Sequence, residues 1–181
     1  AQGGHFIKKV NINDAIDHLA GMIQQQQMPF GKVLEFQYAM DQAVLISAIT
    51  HGTDDEISTL FRLAEELNEL CHLPEPEFSQ ISTVDKKLNL IMVQMTRNPF
   101  FEWMMRTVQL AFRAYEFVLY EDDFIRPQIA LNWKNTAQAV KNRDVQKALG
   151  LYGHWYAMLE QCLTEKFGAA CFAGTPGEPY Q

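Results

Sequence analysis

Thr53-Asp-Asp-Glu-Ile-Ser-Thr-Leu-Phe-Arg-Leu-Ala-Glu-Glu-Leu-Asn-Glu-Leu-Cys71 is the stretch whose reading decides the fold. Thr53 followed three residues later by Glu56 is a capping box, a hydroxyl for an orphan N–H and a carboxylate reaching back. Behind it, Ile57, Leu60, Phe61, Ala64, Leu67, Leu70 and Cys71 recur at three-and-four spacing. That period gives a helix one apolar face and asks for partners to cover it. Pro74 and Pro76 end the element.

The same period extends in both directions. Upstream, Val33, Phe36, Met40, Val44 and Ala48 predict a helix over 32–51, stopped by Gly52, and Asn11–Asp14 predicts a cap for another reaching about residue 27. Downstream, Leu88, Ile91, Met92 and Met95 predict a helix over 84–96, and Asn98-Pro99 starts one over 99–120. A sixth is expected over 127–141, and Asp144 caps a seventh carrying Val145, Ala148, Tyr152, Trp155, Leu159 and Leu163. No segment after residue 10 alternates as a strand does. The expected fold is all-α, a single antiparallel bundle of six or seven helices over 11–168. Residues 169–181, with Gly174, Pro176, Gly177 and Pro179, read as a flexible tail.

Composition narrows the function classes. At 181 residues and 48% apolar, the chain is long enough for one domain with a core. No apolar run approaches the ~18 residues that span a bilayer, so no membrane partner is expected. Cys71, Cys162 and Cys171 form no metal spacing and fit a reducing cytoplasm. A net charge of −7 argues against nucleic-acid binding by this chain itself. The chain has no Gly-rich phosphate loop, no serine nucleophile elbow and no Glu-x-x-His pairs, so an enzyme is not the first expectation. His51, His72 and His154 sit in no haem-attachment motif.

Two stretches carry a resemblance. Asp85-Lys-Lys-Leu-Asn-Leu-Ile-Met-Val-Gln-Met-Thr-Arg-Asn-Pro99 pairs an acidic residue with an Asn-Pro turn. Trp133–Tyr156 holds Ala139-Val140, a short turn ending at Asp144, then Ala148 four residues on. Together, over roughly residues 12–165, the chain resembles the effector-binding domain of the FadR branch of the GntR-family bacterial transcription regulators. Leu34-Glu35-Phe36 through Asp41 looks like that domain's first core helix. The resemblance implies a ligand-sensing homodimer controlling a winged-helix domain that would hold the DNA. The opening Gly3-Gly4-His5-Phe6-Ile7-Lys8-Lys9-Val10 then reads as the last wing strand of that domain, residues 1–10.

The resemblance also implies a site and shows where this chain departs from it. Metal-binding members use an Asp and three His on facing helices. Here Asp85 is kept, Asn89 stands second, Trp133 third and Trp155 fourth, with His154 one residue out of register. One residue turns a helical side chain by about 100 degrees. Asp85, Asn89 and His154 are therefore weak metal candidates, no cofactor is expected, and a metal-dependent helical enzyme or metal sensor using Asp85 and His154 is the alternative reading. The Arg that pairs carboxylate effectors is replaced by Gln37, which lacks the charged fork. Tyr152-Gly153-His154 resembles the acyl-CoA-responsive members, where a glycine gives the ligand room. The expected effector is a carboxylate metabolite such as an acyl-CoA or fatty acid. The residues expected around it are Gln37, Asp85, Asn89, Trp133, Tyr152, Gly153, His154 and Trp155, with Arg106 for an acidic headgroup. Met92, Met95, Trp103, Met104, Phe112 and Met158 are candidates for a pliable apolar wall, and Arg97 and Arg113 are further basic candidates.

Overall fold

The computed structural model describes residues 14, 16–18, 21 and 30–168. Six long helices follow one another: α1 Phe30–His51, α2 Asp54–Cys71, α3 Phe78–Met95, α4 Pro99–Glu121, α5 Ile125–Lys141 and α6 Val145–Phe167. Asp14, residues 16–18 and Gly21 are also helical, and Ile16 is buried. No strand occurs among the described residues. The expected wing strand over 1–10 and the tail over 169–181 lie outside them.

The turn chemistry read from sequence forms as expected. Glu56 N–H donates to Thr53 Oγ1 at 3.3 Å, and Thr53 N–H donates to the Glu56 carboxylate at 2.9 Å. Asn98 accepts from Phe100 N–H ahead of α4, and Asp144 accepts from Lys147 N–H ahead of α6. Helix α3 starts six residues earlier than expected, at Phe78. Its apolar period runs back through Val84 and Ile81, both buried. The Glu77 side chain, bonded by Ser79 and Gln80, steadies that start.

Helix α2 packs on α3 and α5, α6 packs on α5 and α1, and α4 lies against α3, α5 and α1. The apolar faces of α2, α3 and α5 meet through Leu60, Leu67, Ile81, Leu88, Ala137 and Val140, all closed to solvent. Two arginines in left-handed backbone fasten the turns. Arg97, at φ 57°, grips the Glu56 carboxylate with two nitrogens at 2.6 and 2.8 Å. Arg143, at φ 56°, donates to the carbonyls of Ile49 and Gly52 and to Asp54. The α3–α4 and α5–α6 turns are thus both tied to the start of α2. The other side of α3 faces a cavity rather than a core.

Candidate functional site

Five helices surround that cavity, whose volume is about 120 Å³. Helix periodicity selects its lining. Leu34, Gln37 and Asp41 are spaced three and four apart on α1, and Asp85 and Asn89 four apart on α3. Helix α6 adds Tyr152, Trp155, Tyr156 and Leu159; α5 adds Ile129, Asn132 and Trp133. Val108, Gln109, Leu119 and Tyr120 come from α4.

The polar groups form two hydrogen-bonded sets. Trp133 Nε1–H donates to Asp85 Oδ1 at 2.8 Å, although 48 residues separate them. Asn89 Nδ2 donates to Asp85 Oδ2 at 3.2 Å, and the Tyr120 hydroxyl bonds the same carboxyl. Opposite, the Tyr156 hydroxyl donates to Asp41 Oδ2 at 2.6 Å, and Gln37 bonds the Asp41 carboxyl. Trp133 meets Tyr152 edge to face, with ring centroids 6.5 Å apart.

Burial dominates the electrostatics. It pushes Asp41 up to about 7, and the neighbouring Asp85 charge adds to the rise against the bonds from Tyr156 and Gln37. Asp85 is raised by burial too, opposed by Tyr120 and Trp133. The hydroxyls of Tyr152 and Tyr156 are held well above the usual tyrosine range by desolvation, so both remain donors at neutral pH. No Lys, Arg or His lines the cavity among the described residues.

Six of the expected site residues therefore meet around one space: Gln37, Asp85, Asn89, Trp133, Tyr152 and Trp155. Three do not, and their placement corrects the expectation. His154 is exposed, because α6 turns its neighbours Tyr152, Trp155 and Tyr156 inward and leaves residue 154 outward. Arg106 is a surface residue paired with Glu102 at 2.7 Å, one turn away on α4. Gly153 lies on a separate groove between α1 and α6, where a Cβ would stand 3.1 Å from the Tyr38 hydroxyl. Its small size serves the approach of those two helices. Among the apolar candidates, Met92 and Met95 are sealed in the α2–α3–α5 core, and Trp103 is partly exposed. The side chains of Phe112 and Arg113 lie outside the described residues.

Sequence reading passed over Asp41, Gln109, Tyr120, Asn132 and Tyr156. Two of these carried a signal, since Asp41 is four residues from Gln37 and Tyr156 four from Tyr152.

A family model for the FCD domain matches residues 32–152. The chain belongs to the FCD-domain family. This is the C-terminal effector-binding domain of GntR-family regulators, and the five-helix cavity lies largely within the matched span. No curated protein and no solved structure matches the chain.

The metal chemistry of some FCD domains does not fit this donor set. Trp133 presents an indole N–H, which donates and has no lone pair for a cation. That N–H already occupies Asp85. The His154 imidazole points away from the cavity, so Asp85 and His154 share no site. No group of three or more His, Cys, Asp or Glu side chains is placed to hold an ion among the described residues.

Proposed function

We propose that this FCD domain senses a small polar metabolite in the five-helix cavity and passes the binding event to a DNA-binding partner domain. The observation that carries the reading is the convergence of polar side chains from α1, α3, α4, α5 and α6 on one space. A ligand bonded to all five helices favours one arrangement of them over another, which is the requirement for a conformational signal. In a homodimer, such a shift changes the spacing of two attached winged helices and hence their match to DNA half-sites.

The volume supports a compact ligand in place of the acyl-CoA or fatty acid expected from sequence. A cavity of about 120 Å³ is far below the ~300–1,000 Å³ of pockets that enclose drug-sized ligands. The regulator family favours sensing over catalysis.

Thermal unfolding of the purified chain with pools of small polar metabolites tests the proposal. Saturable stabilisation is expected, accompanied by a change in tryptophan fluorescence because Trp133 and Trp155 wall the cavity. The Trp155→Ala variant should lose both responses. A chain that no pool stabilises would sink the sensor reading.

A further inference from the structure

We propose that the cavity selects a small organic cation, an ammonium or amidinium on a compact carbon skeleton, rather than a carboxylate. This rests on the cavity being the ligand site, and it names the chemistry of that ligand. Two carboxyl groups from different helices, Asp41 and Asp85, line the same cavity, and the described lining contains no cationic side chain to balance them. An incoming carboxylate meets like charge in a poorly solvated site, whereas a cation supplies the missing counter-charge.

The walls suit the same class. Tyr120, Trp133, Tyr152, Trp155 and Tyr156 bring five rings to the cavity, and aromatic faces attract a desolvated cation. The acceptors are held in place beforehand. Trp133 and Asn89 fix Asp85, and Tyr156 fixes Asp41. Each carboxylate has about four lone-pair positions, so oxygen capacity remains beyond these bonds.

Without ligand, the two acids coexist because Asp41 keeps its proton until about pH 7. The groups bearing on it are Asp85 from α3 and the Tyr152 and Tyr156 hydroxyls from α6. Lys86 on α3 and Tyr120 on α4 act on Asp85. An arriving cation stabilises the ionised pair, so Asp41 releases its proton and the cation takes its place. Affinity for a cation therefore rises with pH up to about 7 and levels off above it. Arg113 stands on α4 one turn beyond Gln109, with its side chain outside the described residues, so the test includes it.

The test is titration calorimetry and tryptophan fluorescence on the whole chain with probes matched in shape. These are choline, neohexanol (carbon in place of the nitrogen) and tert-butylacetate, with ethylammonium and acetate as smaller charged probes. At least one cation should bind about tenfold or more tighter than its neutral and anionic counterparts. Its affinity should rise from about pH 6 to about pH 8, with protons released to the buffer. Asp85→Asn and Asp41→Asn should each weaken it, and the pH response of the unmodified chain provides a readout that needs no variant. Tighter binding of the carboxylates, abolished in Arg113→Gln, would overturn the cation proposal and leave the sensor reading standing. So would binding of neutral metabolites alone. If no probe and no metabolite pool binds, the sensor reading itself falls.

Discussion

Helix α3 has two faces that do opposite things. One side carries Val84, Leu88, Met92 and Met95, all buried in the core that α3 shares with α2. The other carries Asp85 and Asn89 into the cavity. The first side gains from leaving water, at roughly 25 cal/mol per Å² of apolar surface. The second loses by it, since two carboxyl groups are desolvated with no cation among the described lining residues. A domain selected for stability alone would fill the second side with leucine. The polar face is retained at a cost, and the α2–α3–α5 core supplies the stability that offsets it.

The comparison is broken most severely by comparing truncations on the two sides. Leu67 on α2 is fully buried in the core. Leu67→Ala should lower unfolding stability by about 3 kcal/mol in urea titrations, through lost transfer energy and the void left behind. Trp155→Ala removes a far larger side chain but enlarges a space that already exists, so its cost should be smaller than that of Leu67→Ala. Equal costs would mean that the cavity wall is ordinary core.

Asp41→Asn should sharpen the contrast by removing the charge while keeping the shape. The folded pKa of Asp41 is raised from 3.8 to about 7. A carboxyl with a raised folded pKa is neutral in both states at low pH and contributes no penalty there. As pH climbs from about 4 to about 7, the unfolded chain ionises first and stability falls. The variant should match the parent near pH 4 and exceed it near pH 8, by up to about 4 kcal/mol at ~1.36 per pKa unit. Urea midpoints across that range would show it. A gain that is flat with pH would mean that Asp41 is not the group titrating.

Gly52 shows that the core side tolerates little. A Cβ there would lie 2.4 Å from Met95 Cε and 2.7 Å from the Ala48 carbonyl oxygen. The methionine end can swing away, but the carbonyl belongs to the last turn of α1 and cannot. Gly52→Ala should cost about 1–3 kcal/mol, read from the thermal midpoint. A neutral outcome would show that the α1–α2 turn can shift.

The bundle was legible because its signals are local. The capping box at Thr53, the Asn98-Pro99 start and the Asp144 cap each depend on residues within one turn. The start of α3 was hidden because Pro74 and Pro76 dominate the reading of that region, while Phe78, Ile81 and Val84 continue the period quietly behind them. The site was legible where the family resemblance aligned residues, at Asp85, Asn89 and Trp133. It was illegible where pairing is long-range, since no spacing connects Asp41 with Tyr156 across 115 residues. His154 failed for the opposite reason. Chemistry made it attractive, but the helical phase set by Tyr152, Trp155 and Tyr156 sends it outward.

The smallest effect concerns the turns that hold the two sides in register. Arg97 lies in left-handed backbone, which costs a non-glycine residue roughly 1–2 kcal/mol. Its pair of hydrogen bonds to Glu56 recovers part of that, though more than half of the Arg97 side chain is exposed and such pairs contribute only about 0.2–1 kcal/mol. The two terms oppose each other, so Arg97→Gly, which relieves the backbone and loses the pair, should be nearly neutral. Arg97→Ala keeps the backbone cost and loses the pair, so it should be less stable than the glycine variant by about 1 kcal/mol. Arg97 also holds the Glu56 carboxyl below its ordinary range. The pair's contribution is therefore present above pH 4.5 and lost as acid protonates Glu56, so at low pH the parent should converge on Arg97→Ala and fall below Arg97→Gly. If Arg97→Ala equals Arg97→Gly in urea titrations, the left-handed turn carries no strain and the clamp is a surface ion pair alone.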